Sequence, residues 1–191
     1  MNRLNVGGVQ RFYACSAESK ASLVMFMKVL VVYYSRTGNT RFVAEKIAGK
    51  LKADIEEVID RKNRGGMIGW LRAGRDATRG KETEIEPTKY SPLNYDLIIL
   101  GAPVWNKRIP PAMRTYLNKN DLSKKKIAFF NTNDSDEVKN TFSVMRELAK
   151  NQNPVAQLVV SKVQKNKKEA EKKVENWCEQ ITAKLNLVKK R

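Results

Sequence analysis

A chain of 191 residues, 41% hydrophobic and 8% aromatic, suits one domain with a sizeable core and is too apolar to remain disordered. It has no histidine and only two cysteines, Cys15 and Cys178, far apart in sequence; this excludes Ser-His-Asp and Cys-His catalysis, most zinc sites, iron–sulfur centres and a disulfide framework, and it suits a reducing cytoplasm. The formal charge is +17, from 37 Lys and Arg against 20 Asp and Glu; such a surface attracts an acidic protein, nucleic acid or anionic lipid, or is simply solvated.

Residues 1–26 read as an extension outside the fold. Arg3 and Arg11 ahead of Leu23-Val24-Met25-Phe26 faintly suggest a secretion signal. That apolar stretch, however, runs on into the first strand, is interrupted by Lys28, and is too short to cross a membrane. The domain therefore spans 27–191, with Met27 or Met25 as its effective start. Residues 28–34 (through Val29-Leu30-Val31-Val32-Tyr33-Tyr34) predict a buried strand, and 40–51 an amphipathic helix carrying Val43, Ala44, Ile47, Ala48 and Leu51. Ala53 to Ile59 predicts a charged, edge-like strand. Residues 61–94 predict a long connection, with a short helix at Met67–Ala73. A strand follows at 95–100, then a helix at 110–118 opened by Pro110-Pro111.

Lys126 to Phe130 predicts the fourth strand. Residues 137–150 predict a helix with Phe142, Met145, Leu148 and Ala149 on one face. The fifth strand is expected at 155–160, and the last helix at 167–187. Ala170, Val174, Trp177, Cys178, Ile181 and Leu185 form one stripe of that helix, so Cys178 reads as a small core residue rather than a redox thiol. Five strands alternating with helices predict an α/β three-layer sandwich, a parallel sheet with helices on both faces. Two stretches carry much of the basic excess: Arg61–Lys81, with seven basic residues against Asp76 alone, and the last thirty residues, with ten basic and four acidic.

Ser35-Arg36-Thr37-Gly38-Asn39-Thr40 joins the first strand to the first helix. A short loop of hydroxyls and glycine in that place suits a phosphate. The helix start offers unpaired N–H groups and the positive end of its dipole, Gly38 permits close approach, and Ser35, Thr37, Asn39 and Thr40 add short donors. No Gly-Lys-Ser/Thr follows, so it is not a Walker A loop, and it is not a GxGxxG turn. The plain alternative is a polar turn capped by Asn39.

The loop resembles the FMN-phosphate loop of the flavodoxin family, Ser/Thr-x-Thr-Gly-Asn-Thr, at all five specified positions. Gly101-Ala102-Pro103-Val104-Trp105 is similar to the family's second flavin-contacting loop, often Gly-x-Pro-x-Trp. The resemblance runs from about Met27 to the last helix. It implies strand order 2-1-3-4-5, with the loops at 35–40, 101–109 and 131–136 converging beside the switch point. It implies FMN as cofactor, its phosphate on Ser35 to Thr40, its ring stacked on Trp105 and close to Ala102, Pro103, Val104, Asn106, Lys107, Thr132 and Asn133. Read alone, Trp105 also suits a core or surface aromatic.

Asn106-Lys107-Arg108 follows the tryptophan. In flavodoxins a peptide here can turn to accept a hydrogen bond from flavin N5–H. Asn106 can serve, and Lys107 and Arg108 would ease formation of the anionic reduced flavin. The third loop, Asn131 to Asp136, lacks the family's glycine pair or aromatic residue; Trp70 is a candidate cover for that flavin face, and Asp134 or Ser135 a candidate helix cap. Three readings follow. The first is an electron carrier between redox enzymes, with redox partners of acidic surface, as monomer or homodimer. The second is an NAD(P)H-dependent quinone or flavin reductase of the same fold. The third is a basic binding module that has lost FMN. Nucleic acid is not expected as a partner, because no RNA-binding aromatic motif, basic recognition helix or zinc module is present. No membrane contact is expected.

Overall fold

Strand β1 (Val29–Tyr33) forms where the β-branched run predicts it, and all five of its side chains are buried. The computed structural model describes residues 27–62, 64, 66–105, 108–134 and 141–188. The proposed extension at 1–26 lies outside the described residues. After β1 come α1 (Asn39–Leu51), β2 (Asp54–Glu57), α2 (Gly66–Thr78) and β3 (Leu97–Pro103). Then follow α3 (Pro111–Lys119), β4 (Lys126–Asn133), α4 (Thr141–Leu148), β5 (Ala156–Ser161) and α5 (Lys167–Val188).

The five strands form one all-parallel sheet in the order β2-β1-β3-β4-β5. This is the order the resemblance implies. Alternate residues divide between its two faces. Val29, Val31, Tyr33, Leu97, Ile99 and Phe130 pack under α1 and α5. Leu30, Val32, Ile98, Leu100, Ile127 and Phe129 pack under α3 and α4. Each such side chain, fully buried, contributes about 1.5–3 kcal/mol, so the central strands hold the layers together. Cys178 lies in the α5 stripe, where burial pushes its thiol up to about 12; it is a core residue, as its spacing predicts.

The charges of β2 are accounted for by the long connection, which folds across this edge strand. Glu56, 8% exposed, accepts hydrogen bonds from the backbone N–H of Lys89 and Tyr90, both at 2.9 Å. The Tyr95 hydroxyl donates to Asp54 at 2.8 Å. A bridge between Asp60 and Ile85 ties down the start of the connection.

Three expectations need correction. Residues 131–133 are not loop but the end of β4, and 101–103 the end of β3. The ladder runs on through Ala102–Asn131 and Pro103–Thr132, and through Asn133–Ser161 on the other side. Polar side chains hid this continuation, because sheet pairing and not hydrophobicity sustains it. Asn39 does not cap α1: it is the first helical residue, and Gly38 holds the cap position at φ 87°. The short helix expected at Met67–Ala73 runs instead from Gly66 to Thr78, for a reason given below. In the helix expected at 137–150, residues 137–140 lie outside the described residues, and α4 covers Thr141–Leu148.

Candidate functional site

Parallel strands send their carboxyl ends, and the loops that follow, to one edge of the sheet. There the ends of β1, β3 and β4 frame a cleft of about 490 Å³. From the first loop it is lined by Arg36, Thr37 and Asn39, from the end of β3 by Pro103, Val104 and Trp105, and from the end of β4 by Thr132, Asn133 and Asp134. These segments are remote in sequence, and the strand order alone brings them together.

The first loop is shaped by its own atoms. Gly38 takes the left-handed conformation that favours glycine, and its N–H donates to Ser35 Oγ at 3.2 Å. Its carbonyl accepts the first helical hydrogen bond, from Phe42 at 2.9 Å. Arg36, Thr37 and Gly38 are exposed and Asn39 half-buried. No side chain caps α1. The loop thus presents side-chain donors and the uncapped start of a 13-residue helix to the cleft.

Thr40 is differently placed. It is 1% exposed, and its hydroxyl lies 2.8 Å from that of Thr132, itself 2% exposed. This buried pair pins the start of α1 to the end of β4. Ser35, Gly38 and Thr40 therefore shape the loop without lining the cleft.

The second segment divides in the same way. Gly101 is required by packing: a Cβ there would stand 1.9 Å from the ring of Phe130 in the core. Ala102 is fully buried, on the α3/α4 face. Pro103, Val104 and Trp105 are half-buried and line the cleft. Val104 N–H donates to Thr132 O at 2.9 Å, so the second segment stays joined to β4. Trp105 stands edge-on to Tyr34, centroids 5.4 Å apart at 86°, and the Arg36 guanidinium lies 5.8 Å from its ring. Burial pushes the Tyr34 hydroxyl up to about 12, with Asp60 adding to the effect, so this ring support stays neutral. Trp105 and Arg108 exchange both backbone hydrogen bonds, at 2.8 and 2.9 Å. Asn106 and Lys107, expected at the flavin edge, lie outside the described residues.

At the third segment, Asn133 lines the cleft while both its amide atoms are buried without a hydrogen-bond partner. A buried amide with no partner is costly in a finished structure. Donors for a phosphate at one end, an aromatic wall in the middle and an amide in need of partners at the other end fit a flavin mononucleotide. Among the described residues no cluster of His, Cys, Asp or Glu could hold a metal ion.

The fourth wall was not foreseen. Leu71, Gly74 and Arg75 of α2 also line the cleft. Trp70, the expected cover, has its side chain outside the described residues. What places α2 is Arg64, 6% exposed. Its Nε donates to Asp60 at 2.9 Å and its Nη1 to Asp76 at 2.7 Å. Thr83 Oγ1 and the Lys62 N–H occupy the other Asp60 oxygen, at 2.8 and 2.9 Å. The Arg64 hydrogen bond holds the Asp76 carboxyl below the usual carboxylate range. Gly69 lets the helix pass Arg64, since a Cβ there would stand 2.6 Å from the Arg64 carbonyl carbon. The lone acid in the basic stretch, Asp76, was the signal in the sequence.

Comparison with known proteins agrees with this geometry. A family model described as Flavodoxin matches residues 28–181. A provisionally named flavoprotein from Bacteroides uniformis superposes with a TM-score of 0.67 at 20% identity, covering 78% of this chain and 98% of that one. A flavoprotein from Lactobacillus acidophilus, solved in complex with FMN, gives 0.58 at 24% identity, covering 79% and 98%. Oxidised flavodoxin 2 from Bacillus cereus gives 0.52 at 21% identity, covering 82% and 99%. At these identities the structural likeness carries the fold alone. No match was found among curated proteins. Among the described residues no helix is long and apolar enough to cross a membrane.

Proposed function

The chain belongs to the flavodoxin family, and from that premise we propose that it binds FMN and carries electrons between larger redox enzymes. The supporting observation is the convergence of 36–39, 103–105 and 132–134 on one cleft. Its volume, about 490 Å³, falls within the range of about 300–1,000 Å³ that holds one cofactor-sized ligand. The Lactobacillus relative, solved with FMN, supports the same cofactor.

In this reading Thr37, Asn39 and the start of α1 hold the phosphate. Trp105 offers its face to the ring, supported edge-on by Tyr34. Asn133 satisfies its amide on the polar edge of the ring or on the ribityl chain. FMN supplies the redox chemistry, and the chain supplies position and field. Arg36 and Arg75 border the cleft, so their positive charge favours the anionic reduced cofactor. Lys107 belongs to the same expectation: charge reversal, Lys107→Glu, lowers the potential of full reduction in a potentiometric titration.

Ligand titration followed by tryptophan fluorescence tests the site. FMN quenches the wild type, and Trp105→Ala weakens its affinity about tenfold, the worth of one aromatic contact. Unchanged affinity would place the ring elsewhere. The small size of the chain and Trp105 favour a carrier over a reductase, which needs a nicotinamide or quinone pocket over the ring. Steady-state NAD(P)H oxidation with a quinone acceptor separates the two. The carrier reading expects turnover well below about 1 s⁻¹, the low end for enzymes.

A further inference from the structure

Four large hydrophobic side chains are exposed among the described residues: Ile55, Ile59, Leu71 and Leu93. Two of them border the candidate site. Leu71, 59% exposed, lines the cleft beside Arg36 and Arg75. Ile59, 45% exposed, lines a shallow depression shared by Arg36 and Lys62; its two carboxylates, Glu57 and Asp60, are taken by Arg41 and Arg64. Arg36 belongs to both hollows, which makes them one continuous surface. Arg108 adds a further exposed cation next to Trp105, to whose backbone it is bonded.

The cations of this surface are largely unneutralised. Arg36, Lys62 and Arg108 have no carboxylate partner among the described residues. Arg75 approaches only Asp76, at 4.0 Å, and that carboxylate already serves Arg64. Nearby Arg61 is different, held by Glu86 at 3.0 Å. On the far face, Lys46, Lys50 and Lys173 each meet a glutamate; among the described residues, exposed Lys168 and Lys172 of α5 do not, but no large hydrophobic is exposed beside them among the side chains described in α1 and α5. Unpaired arginines around exposed aliphatic side chains are the composition of a protein interface rather than of a solvated face.

We propose that this rim (Arg36, Ile59, Lys62, Leu71, Arg75, Arg108) is the docking surface for an acidic electron-transfer protein. The identity of the partner class rests on the redox reading; the location rests on charge and exposure. Charge complementarity selects the partner. Opposite charge steers the encounter, and the two aliphatic side chains supply contact once water is displaced. Arg64 serves as a positioning residue, because it fixes α2 and with it Leu71 and Arg75.

The test compares two double charge reversals of equal net charge. Lys62→Glu/Arg108→Glu alters the rim without touching residues that line the cleft. Lys168→Glu/Lys172→Glu alters exposed positions on α5. Binding to an immobilised acidic plant-type [2Fe–2S] ferredoxin is measured by surface plasmon resonance, with basic cytochrome c as the control surface. Flavin retention is read separately from visible absorption. The rim variant is expected to bind ferredoxin at least tenfold more weakly and the α5 variant within threefold of wild type. Equal weakening would show that only net charge matters and overturn the proposal. So would rim-dependent binding to duplex DNA or phosphatidylserine vesicles with ferredoxin binding unaffected. A wild type that retains no flavin would sink the redox reading, while the contrast between the two variants would still decide where acidic protein docks.

Discussion

The two flanks of the first strand carry basic charge to different ends. Where α1 meets α5, lysines face glutamates across the helices, on top of a tightly interlocked apolar stripe. Around α2, one arginine is buried between two aspartates, while at the mouth of the cleft Arg36 stands unpaired among the described residues and Arg75 reaches only Asp76, at 4.0 Å. The first flank is an amphipathic helix pair whose structure the periodicity dictates. The second is held by a few polar contacts and lies against the site. A net charge says nothing of this division; only the placement of the partners does.

Breaking the Arg64 clamp tests the comparison most severely. Arg64→Ala leaves Asp60 and Asp76 without their cation, and loss of one partner from a buried ion pair costs about 3–5 kcal/mol. Denaturant unfolding should show that loss, together with weaker FMN binding, because α2 forms one wall of the cleft. Stability close to wild type would mean that apolar packing alone holds α2.

The clamp also carries a pH signature. The Asp76 carboxyl is lowered from its ordinary 3.8 by Arg64. Its contribution is therefore complete above the ordinary value and fades as pH falls through the lower folded one. Acid should weaken the wild type more than Asp76→Asn as the pH falls below the ordinary carboxylate value of 3.8, the side to which Arg64 moves the titration. Parallel acid profiles would remove Asp76 from the account.

Gly69→Ala presses a Cβ on the Arg64 backbone, and overpacking of this kind costs about 1–3 kcal/mol. Gly49→Ala, where a Cβ meets nothing within 4 Å, serves as the α1 control and should leave thermal unfolding unchanged or slightly improved. On the α1/α5 flank, Lys50→Ala removes an exposed ion pair and should change stability by less than about 1 kcal/mol. A larger loss would mean that the surface pairs, and not the apolar stripe, join these helices.

The division between flanks also explains what the sequence disclosed. Val29 to Tyr34, the α1 pattern and the α5 stripe are local signals, and each element formed within a residue or two of its expected place. The two motifs fixed the position of the cleft, because strand order carries both loops to the same edge. The ends of β3 and β4 were less legible, since Asn131, Thr132 and Asn133 stay in the sheet through pairing with strands far away in sequence. Thr40 and Thr132 meet across 92 positions. Arg64 was hidden for a different reason: its partners Asp60 and Asp76 are near in sequence, but only the turn into α2 brings both to one guanidinium, with Thr83 reaching Asp60 from beyond α2. Among the seven basic residues of Arg61–Lys81, the lone acid Asp76 signals that one is paired, but the spacing does not say which.

The central claim is that the cleft between Asn39, Trp105 and Asn133 holds FMN. Its most direct test is the visible absorption spectrum of the purified protein, taken before and after incubation with FMN and desalting. The account predicts flavin bands that remain with the protein at about one equivalent, and that are lost more readily from Trp105→Ala. A colourless protein that retains no FMN would contradict it.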